Sequence, residues 1–247
     1  MAHLYMRSGT VLASATMGIF LAVPTLNAEI AAWRRGCRTV AGVDEAGRGP
    51  LAGPVVAAAV VLDPGSPRDW WSDLRDSKQV AEAQRERLSA LIRAECAFGI
   101  GVVSHELIDS LGLIRATKMA MRQALDALPV RPDMLLIDAE SLPDYRHRSI
   151  VHGDALCASI AASSIVAKVA RDHIMAEYHE VFPAYGFLTN RGYSTPEHLS
   201  ALDAAGPCEI HRRRFAPVRA ALEGRSAVEA AAAQLDVLPL EPIAVTV

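Results

Sequence analysis

The sequence predicts an α/β fold, a mixed five-stranded sheet flanked by helices with a helical extension at the C-terminal end. Three observations predict it. Short apolar runs bounded by turn residues occur at 39–43, 55–62, 98–103, 133–137 and 149–151, which is strand length. Longer segments with helical spacing lie between and after them. The order is strands first, then strands separated by helices, which argues for a mixed sheet with helices on its faces.

Residues 24–36 suit a short helix, with Leu26, Ile30 and Trp33 at helical spacing. The strand at 39–43 runs into Asp44-Glu45. The run at 55–62 is apolar on both faces, so it reads as a buried central strand. Gly47, Gly49, Pro50, Gly53 and Pro54 between the two are turn chemistry, which makes the pair close and antiparallel. Residues 63–76 read as a polar loop, 79–96 as an amphipathic helix and 98–103 as the third strand. Residues 104–128 suit one or two helices, with Leu111-Gly112-Leu113 as the break.

After the strands at 133–137 and 149–151, one long helix is expected from Ala155 to about Val181. Its inner side carries Ile160, Ile165, Val166, Val169 and Ile174. Ala158, Ala161, Ala162 and Ser163 give it a small-residue surface suited to close packing on a sheet. Beyond Pro183 come a glycine-rich loop, a helix near 195–205, a basic stretch and one helix near 217–233, with a frayed tail.

At 247 residues the chain can bury a sizeable core. Hydrophobic residues at 51% and charged residues at 21% are ordinary for a folded domain. The net charge of −3 excludes a global basic field, so any attraction to nucleic acid must be local. Cys37, Cys96, Cys157 and Cys208 are too far apart for a Cys-x-x-Cys site and read as reduced thiols in a cytoplasmic protein. No His-x-x-x-His pair, Walker loop or Gly-x-Ser-x-Gly element occurs. Val11 to Val23, after Arg7, loosely resembles a signal peptide, but Ser14, Thr16 and Gly18 dilute it and it is too short to span a bilayer. An extension ahead of the fold, with no membrane partner, is the preferred reading.

The carboxylates carry the chemistry. A two-metal nuclease needs several converging on one point, because Mg²⁺ takes hard oxygen ligands and two ions roughly 4 Å apart act together. Asp44 and Glu45 end the first strand; for both to face one site the strand must end or bulge there. Asp138 follows Leu135-Leu136-Ile137, and Asp154 opens the long helix, where it also suits an N-cap. Alone, Asp44-Glu45 reads equally as a polar turn; together with two further strand-end and helix-start acids it reads as a site. Glu140 is the weaker neighbour of Asp138, and Asp172 reads as a surface group or as one that supports the site from behind.

Positive and flexible elements fall nearby in the sequence. Gly47-Arg48-Gly49 offers close backbone approach and a guanidinium for phosphate. The loop from Tyr185 to Tyr193 combines aromatics, Arg191 and glycines, suited to stacking on a sugar or base. His211-Arg212-Arg213-Arg214 is the one basic cluster, either phosphate-binding or a solvated face, and Lys78 and Lys168 are further local positives.

These stretches in this order resemble bacterial ribonuclease HII. The matching blocks are 40–56, Asp76-Ser77-Lys78, Leu136-Ile137-Asp138, Gly153-Asp154, 159–169, Tyr185-Gly186, Gly192-Tyr193, Thr195 with His198, His211-Arg212-Arg213 and 215–218. The likeness runs from about Pro24 to Leu222. It implies a ribonuclease H-like fold and four acidic metal ligands, Asp44, Glu45, Asp138 and Asp154. It also implies substrate contacts at Gly47, Arg48, Gly49 and Tyr193, with Lys78 and Lys168 beside them. The implied cofactor is Mg²⁺ or Mn²⁺. The implied reaction is cleavage of the RNA strand of RNA–DNA hybrids and incision 5′ of single ribonucleotides in duplex DNA, leaving 3′-OH and 5′-phosphate ends, by a monomer. His152, Ser194 and Arg214 depart from the family pattern. The alternatives are a non-catalytic hybrid-binding protein and another nuclease of the same superfold. Residues 1–23 then read as an extension, 24–182 as the catalytic domain, 183–224 as a helical substrate-binding part and 225–247 as a flexible tail. Gln234 to Leu240 loosely resembles peptides that dock on bacterial sliding clamps, which would make a clamp a partner.

Overall fold

In the computed structural model, which describes residues 23–66 and 68–236, the five apolar runs form one sheet. After helix α1 (Asn27–Arg34), β1 (Val40–Ala46) pairs antiparallel with β2 (Val55–Val61). Helix α2 (Glu82–Glu95) leads to β3 (Ala97–Val103), which pairs antiparallel with β2. Helices α3 (His105–Leu111) and α4 (Leu113–Asp126) part at Gly112, whose φ of 83° ends the first. Then β4 (Met134–Asp138) adds parallel to β1, and β5 (His147–Ile150) parallel to β4. The order is β3-β2-β1-β4-β5. β2 lies inside it, as its two apolar faces require.

Side-chain alternation builds two cores. Ala41, Val43, Ala57, Leu135 and Ile137 point to α4, where Ala116, Ala120, Met121 and Ala124 meet them. Ala58, Val60 and Leu62 point the other way, to α2 and the long helix α6 (Ala158–Val181). Each fully buried Val or Ile in these layers contributes about 2 kcal/mol. The small face of α6 lies directly on β1. A Cβ at Gly42 would stand 2.1 Å from the Ser159 carbonyl carbon, so only glycine fits there.

The expected single helix from Ala155 is broken. Gly153–Leu156 forms a separate turn, α5, and Cys157 is extended at φ −118° and ψ 127°. Thr25 fills the break: its N–H donates to the Leu156 carbonyl at 3.0 Å and its carbonyl accepts from Ala158 at 3.1 Å. The Glu29 carboxylate then accepts the Ser159 N–H and hydroxyl at 2.8 and 2.7 Å, taking the N-capping position of α6. Asp154 is therefore not the cap of the long helix.

Past a turn at Pro183–Tyr185, helices α7 (Phe187–Asn190), α8 (Pro196–Ala205), α9 (Ala216–Leu222) and α10 (Ala227–Asp236) pack on the far half of α6 and on the β1–β2 link. The single helix expected over 217–233 is two, because Gly224 at φ 71° turns the chain between them. The stretch from 225, expected as a flexible tail, carries α10 as far as Asp236. Residues 1–22 and 237–247 lie outside the described residues, and with them most of the N-terminal extension and the end of the clamp-like stretch. Among the described residues no helix is long and apolar enough to cross a membrane.

Candidate active site

β1 and β4 run parallel only as far as the pair Val43 and Ile137. The carboxylates begin where the strands part, at their C-terminal ends, and such a fork leaves room for a ligand. The strand does not end or bulge at Asp44. It stays regular through Ala46, with Asp44 opposite Ala58 and Glu45 opposite Ala57. Alternation therefore turns Asp44 to the α6 face and Glu45 to the α4 face. Both still reach one cavity of about 260 Å³, because it lies beyond the edge of the β1–β4 pairing.

That cavity is lined by Asp44, Glu45, Asp138 and Asp154, by Gly47, Arg48 and Gly49, and by Lys78, Lys168 and Tyr193. Every residue singled out from the sequence for the site is thus brought together. Ser77 and Ser164 also line it and were missed; their hydroxyls bond each other at 2.9 Å. No sequence pattern marks a serine whose partner lies on a distant element.

Asp138 Oδ1 accepts the Gly153 N–H at 2.7 Å, which ties β4 to α5 and holds Asp154 nearby. Arg48 lies 3.0 Å from Glu140 and 3.4 Å from Glu45, and Lys118 reaches Glu140 at 3.7 Å. Glu140 is therefore the partner of two cations. Lys78 approaches Asp154 at 3.8 Å. Lys168 bonds Asp172 at 2.6 Å, and Asp172, only 5% exposed, stands behind this cavity residue and not on the surface, the second of its two expected places.

Burial pushes the Asp44 carboxyl well above its ordinary value, and the neighbouring Glu45 and Asp138 charges add to it. Burial lifts Glu45 to about 6, against the pull of Arg48. Asp154 is raised by burial and then by Asp76 and Asp138. Burial works against the Lys78 charge, but Asp76 and Asp154 outweigh it and hold the ammonium above its usual value. Crowded carboxylates of this kind call for a cation.

The residues fit a divalent ion. The donors are hard oxygens, and Glu45 Oε2 is buried without any hydrogen-bond partner. Among the described residues no three His, Cys, Asp or Glu side chains yet close on a single point. Three of the acids have other partners: Glu45 lies near Arg48, Asp138 accepts the Gly153 N–H, and Asp154 accepts the Ala155 N–H and lies near Lys78.

Two expectations fail. Arg212 is not on a basic surface but fully buried, its guanidinium bonded to the carbonyls of Gly47, Arg48, Gly53 and Pro54. Arg171, also buried, bonds the carbonyls of Ala52, Pro54 and Arg191. Of the aromatic loop, Tyr185 and Phe187 stack on each other in the core, and only Tyr193, 41% exposed, faces the cavity. Its ring lies 5.9 Å from the Arg171 guanidinium.

A mixed sheet with carboxylates gathered at the fork of two parallel strands, rimmed by a Gly-Arg-Gly loop, defines an endonuclease of the ribonuclease H type. A family model described as Ribonuclease HII matches residues 41–218. The ribonuclease HII of Moorella thermoacetica is 54% identical over 185 residues, covering 74% of this chain and 88% of that protein. The chain belongs to the ribonuclease HII family. The ribonuclease H2 of Pyrococcus horikoshii superposes with a TM-score of 0.64 at 27% identity, over 75% of this chain and 97% of that one. A chain of the PCNA:RNase HII complex from Archaeoglobus fulgidus superposes with a TM-score of 0.60 at 26% identity, over 72% and 95%.

Proposed function

We propose that this chain hydrolyses the RNA strand of RNA–DNA hybrids and incises duplex DNA 5′ of a single embedded ribonucleotide, leaving 3′-OH and 5′-phosphate ends. The observation that carries it is the shared cavity, where four carboxylates face a Gly-Arg-Gly backbone and an exposed tyrosine. Asp44, Glu45, Asp138 and Asp154 would hold two divalent cations, Mg²⁺ or Mn²⁺. When bound, such a pair lowers the pKa of an attacking water and offsets charge on the scissile phosphate.

The chain's own groups do the rest. The Gly47-Arg48-Gly49 backbone and Tyr193 bracket the sugar and read its 2′-OH, the group that separates RNA from DNA. Lys78, 77% exposed on its side chain, is free to approach a phosphate. Lys168, held by Asp172, adds positive charge at the wall. Residues 24–182 serve as the catalytic part and 183–224, which carry Tyr193, as the substrate-binding part. We take the enzyme to act in the cytoplasm as a monomer, as its likeness to ribonuclease HII implies.

The test is cleavage of a duplex carrying one embedded ribonucleotide, beside hybrid and all-DNA controls, with and without EDTA. EDTA-sensitive cuts 5′ of the ribonucleotide are expected. Cutting of the all-DNA control at a similar rate, or EDTA-resistant cutting, would overturn the reading. A second proposal is docking on a sliding clamp through residues 234–240, supported by the likeness to a chain found in complex with PCNA. Loss of clamp pull-down on deleting 234–240 is expected; retention would exclude it.

A further inference from the structure

His198 and His211 take no part in the function just proposed, yet both are fully buried and touch each other. His198 lies on α8, and His211 lies in the segment that bridges to Ala52. Their Nε2 atoms stand 3.0 Å apart. At that distance one nitrogen must donate and the other accept. The two ends of the pair decide which.

At one end, His198 Nδ1 lies 2.8 Å from the Tyr193 carbonyl oxygen. A carbonyl only accepts, so Nδ1 carries the proton and a neutral ring leaves Nε2 bare. At the other end, the Cys208 N–H donates to His211 Nδ1 at 3.0 Å, with the Cys208 thiol at 3.1 Å. The Cys208 carbonyl is farther, at 3.3 Å. His211 Nδ1 is therefore bare and its Nε2 carries the proton. The His198 end demands donation from His211 to His198, and the closer Cys208 N–H at the other end agrees with it.

The surroundings favour two neutral rings. The Tyr185 ring lies 4.9 Å from His211 and the Phe187 ring 5.4 Å from His198. Burial pushes His211 down to about 3 and lowers His198 as well. The relay ends on the backbone of Tyr193, whose ring is half-exposed at the cavity. Its carbonyl also accepts the Thr195 N–H at 2.8 Å, and the Thr195 hydroxyl accepts the His198 N–H at 3.3 Å.

We propose that Cys208 N–H, His211 and His198 form a one-way hydrogen-bond relay that positions Tyr193 for substrate, which makes the histidines positioning residues. The inference rests on the reading of Tyr193 as a substrate contact, and the experiment separates the two. Nitrogen-15 spectra of the histidines in the whole, unmodified protein at neutral pH should show His198 protonated at Nδ1 and His211 at Nε2. The reverse tautomers, or a doubly protonated ring, would overturn the relay whether or not any variant folds.

Kinetics then test the positioning. His198→Asn keeps a donor near Nδ1 for the Tyr193 carbonyl, whereas His198→Gln places its amide near Nε2 and loses that donor. On the single-ribonucleotide duplex, His198→Gln should raise KM roughly tenfold with kcat little changed, as loss of one buried hydrogen bond would, and His198→Asn should restore it. Equal effects of the two would mark a merely structural histidine and refute positioning. Tyr193→Ala is the control. If it impairs binding while His198→Gln does not, the relay fails and the Tyr193 reading stands. If Tyr193→Ala leaves KM and kcat unchanged, the Tyr193 reading fails, and positioning for substrate fails with it.

Discussion

The Arg212 guanidinium donates a hydrogen bond to the Gly47 carbonyl at 2.6 Å, across 165 residues of sequence. It also holds the carbonyls of Arg48, Gly53 and Pro54, while Arg171 holds Ala52, Pro54 and Arg191 from α6. Two buried cations, bonded to carbonyl dipoles, thus support the Gly-Arg-Gly loop from beneath. Burial lowers Arg212 to about 9 and Arg171 to about 10, so both stay charged at neutral pH.

Replacing Arg212 by Met keeps apolar bulk but leaves the carbonyls of Gly47, Arg48 and Gly53 without this donor, while that of Pro54 keeps Arg171. The expected loss of folding stability is about 3 kcal/mol or more, since each orphaned group costs of order 1 kcal/mol. Urea unfolding at neutral pH checks it. A midpoint equal to that of the unaltered protein would show that the loop does not depend on this side chain.

Gly47 and Gly49 should separate under substitution. Gly47 has a φ of 98°, and a Cβ there would lie 2.1 Å from Arg171 Nε and 2.7 Å from the Pro54 carbonyl. Gly47→Ala should therefore lower stability by roughly 2 kcal/mol or more, combining backbone strain with displacement of Arg171. At Gly49 a Cβ meets only Tyr193 Cε1 at 3.6 Å, an ordinary contact. Gly49→Ala should melt like the parent yet bind the ribonucleotide duplex more weakly. Equal melting losses for both would refute the distinction.

Asp138→Asn should abolish cation-dependent cleavage while the amide oxygen still accepts the Gly153 N–H and the fold persists. Near-normal cleavage would remove Asp138 from the cation site. Asp44→Asn should likewise kill activity, but it relieves the crowding of Asp44, Glu45 and Asp138. Without added cation, that variant should be more stable than the parent by about 1 kcal/mol at pH 8. Thermal melts in EDTA decide.

The Glu45 carboxyl is raised to about 6 from 4.5. A carboxyl raised on folding adds stability below its unfolded value and loses it as pH climbs through the folded one. In EDTA, stability from this group should fall between about pH 4.5 and 6. Protons and cations compete for the same oxygens, so Mg²⁺ or Mn²⁺ should raise the melting temperature at pH 8 far more than at pH 5. An equal increment at both pH values would contradict the assignment of Glu45.

Much of this protein is local and so legible in order. The two apolar faces of residues 55–61 demand an interior strand, Gly112 breaks the helix at 104–128, and Asp138 ends its strand where the apolar run stops. Periodicity and turn chemistry act over a few residues, which is the range a sequence displays directly.

What remained hidden depends on contacts between distant segments. Arg212 sits in a charged run and carries no mark of burial; its partners are carbonyls of residues 47–54, and only packing brings them near. Cys157 breaks the long helix because Thr25, far upstream, inserts its backbone there. Asp44 and Glu45 point to opposite faces, as alternation requires, and share a cavity only because the β1–β4 pairing stops at Val43. The sequence by itself determined which acids, glycines and tyrosine to expect in one site. The tertiary structure decided that they meet and which buried cations and histidines hold them, because burial and hydrogen-bond partnership belong to the folded surroundings of a residue and not to its neighbours along the chain.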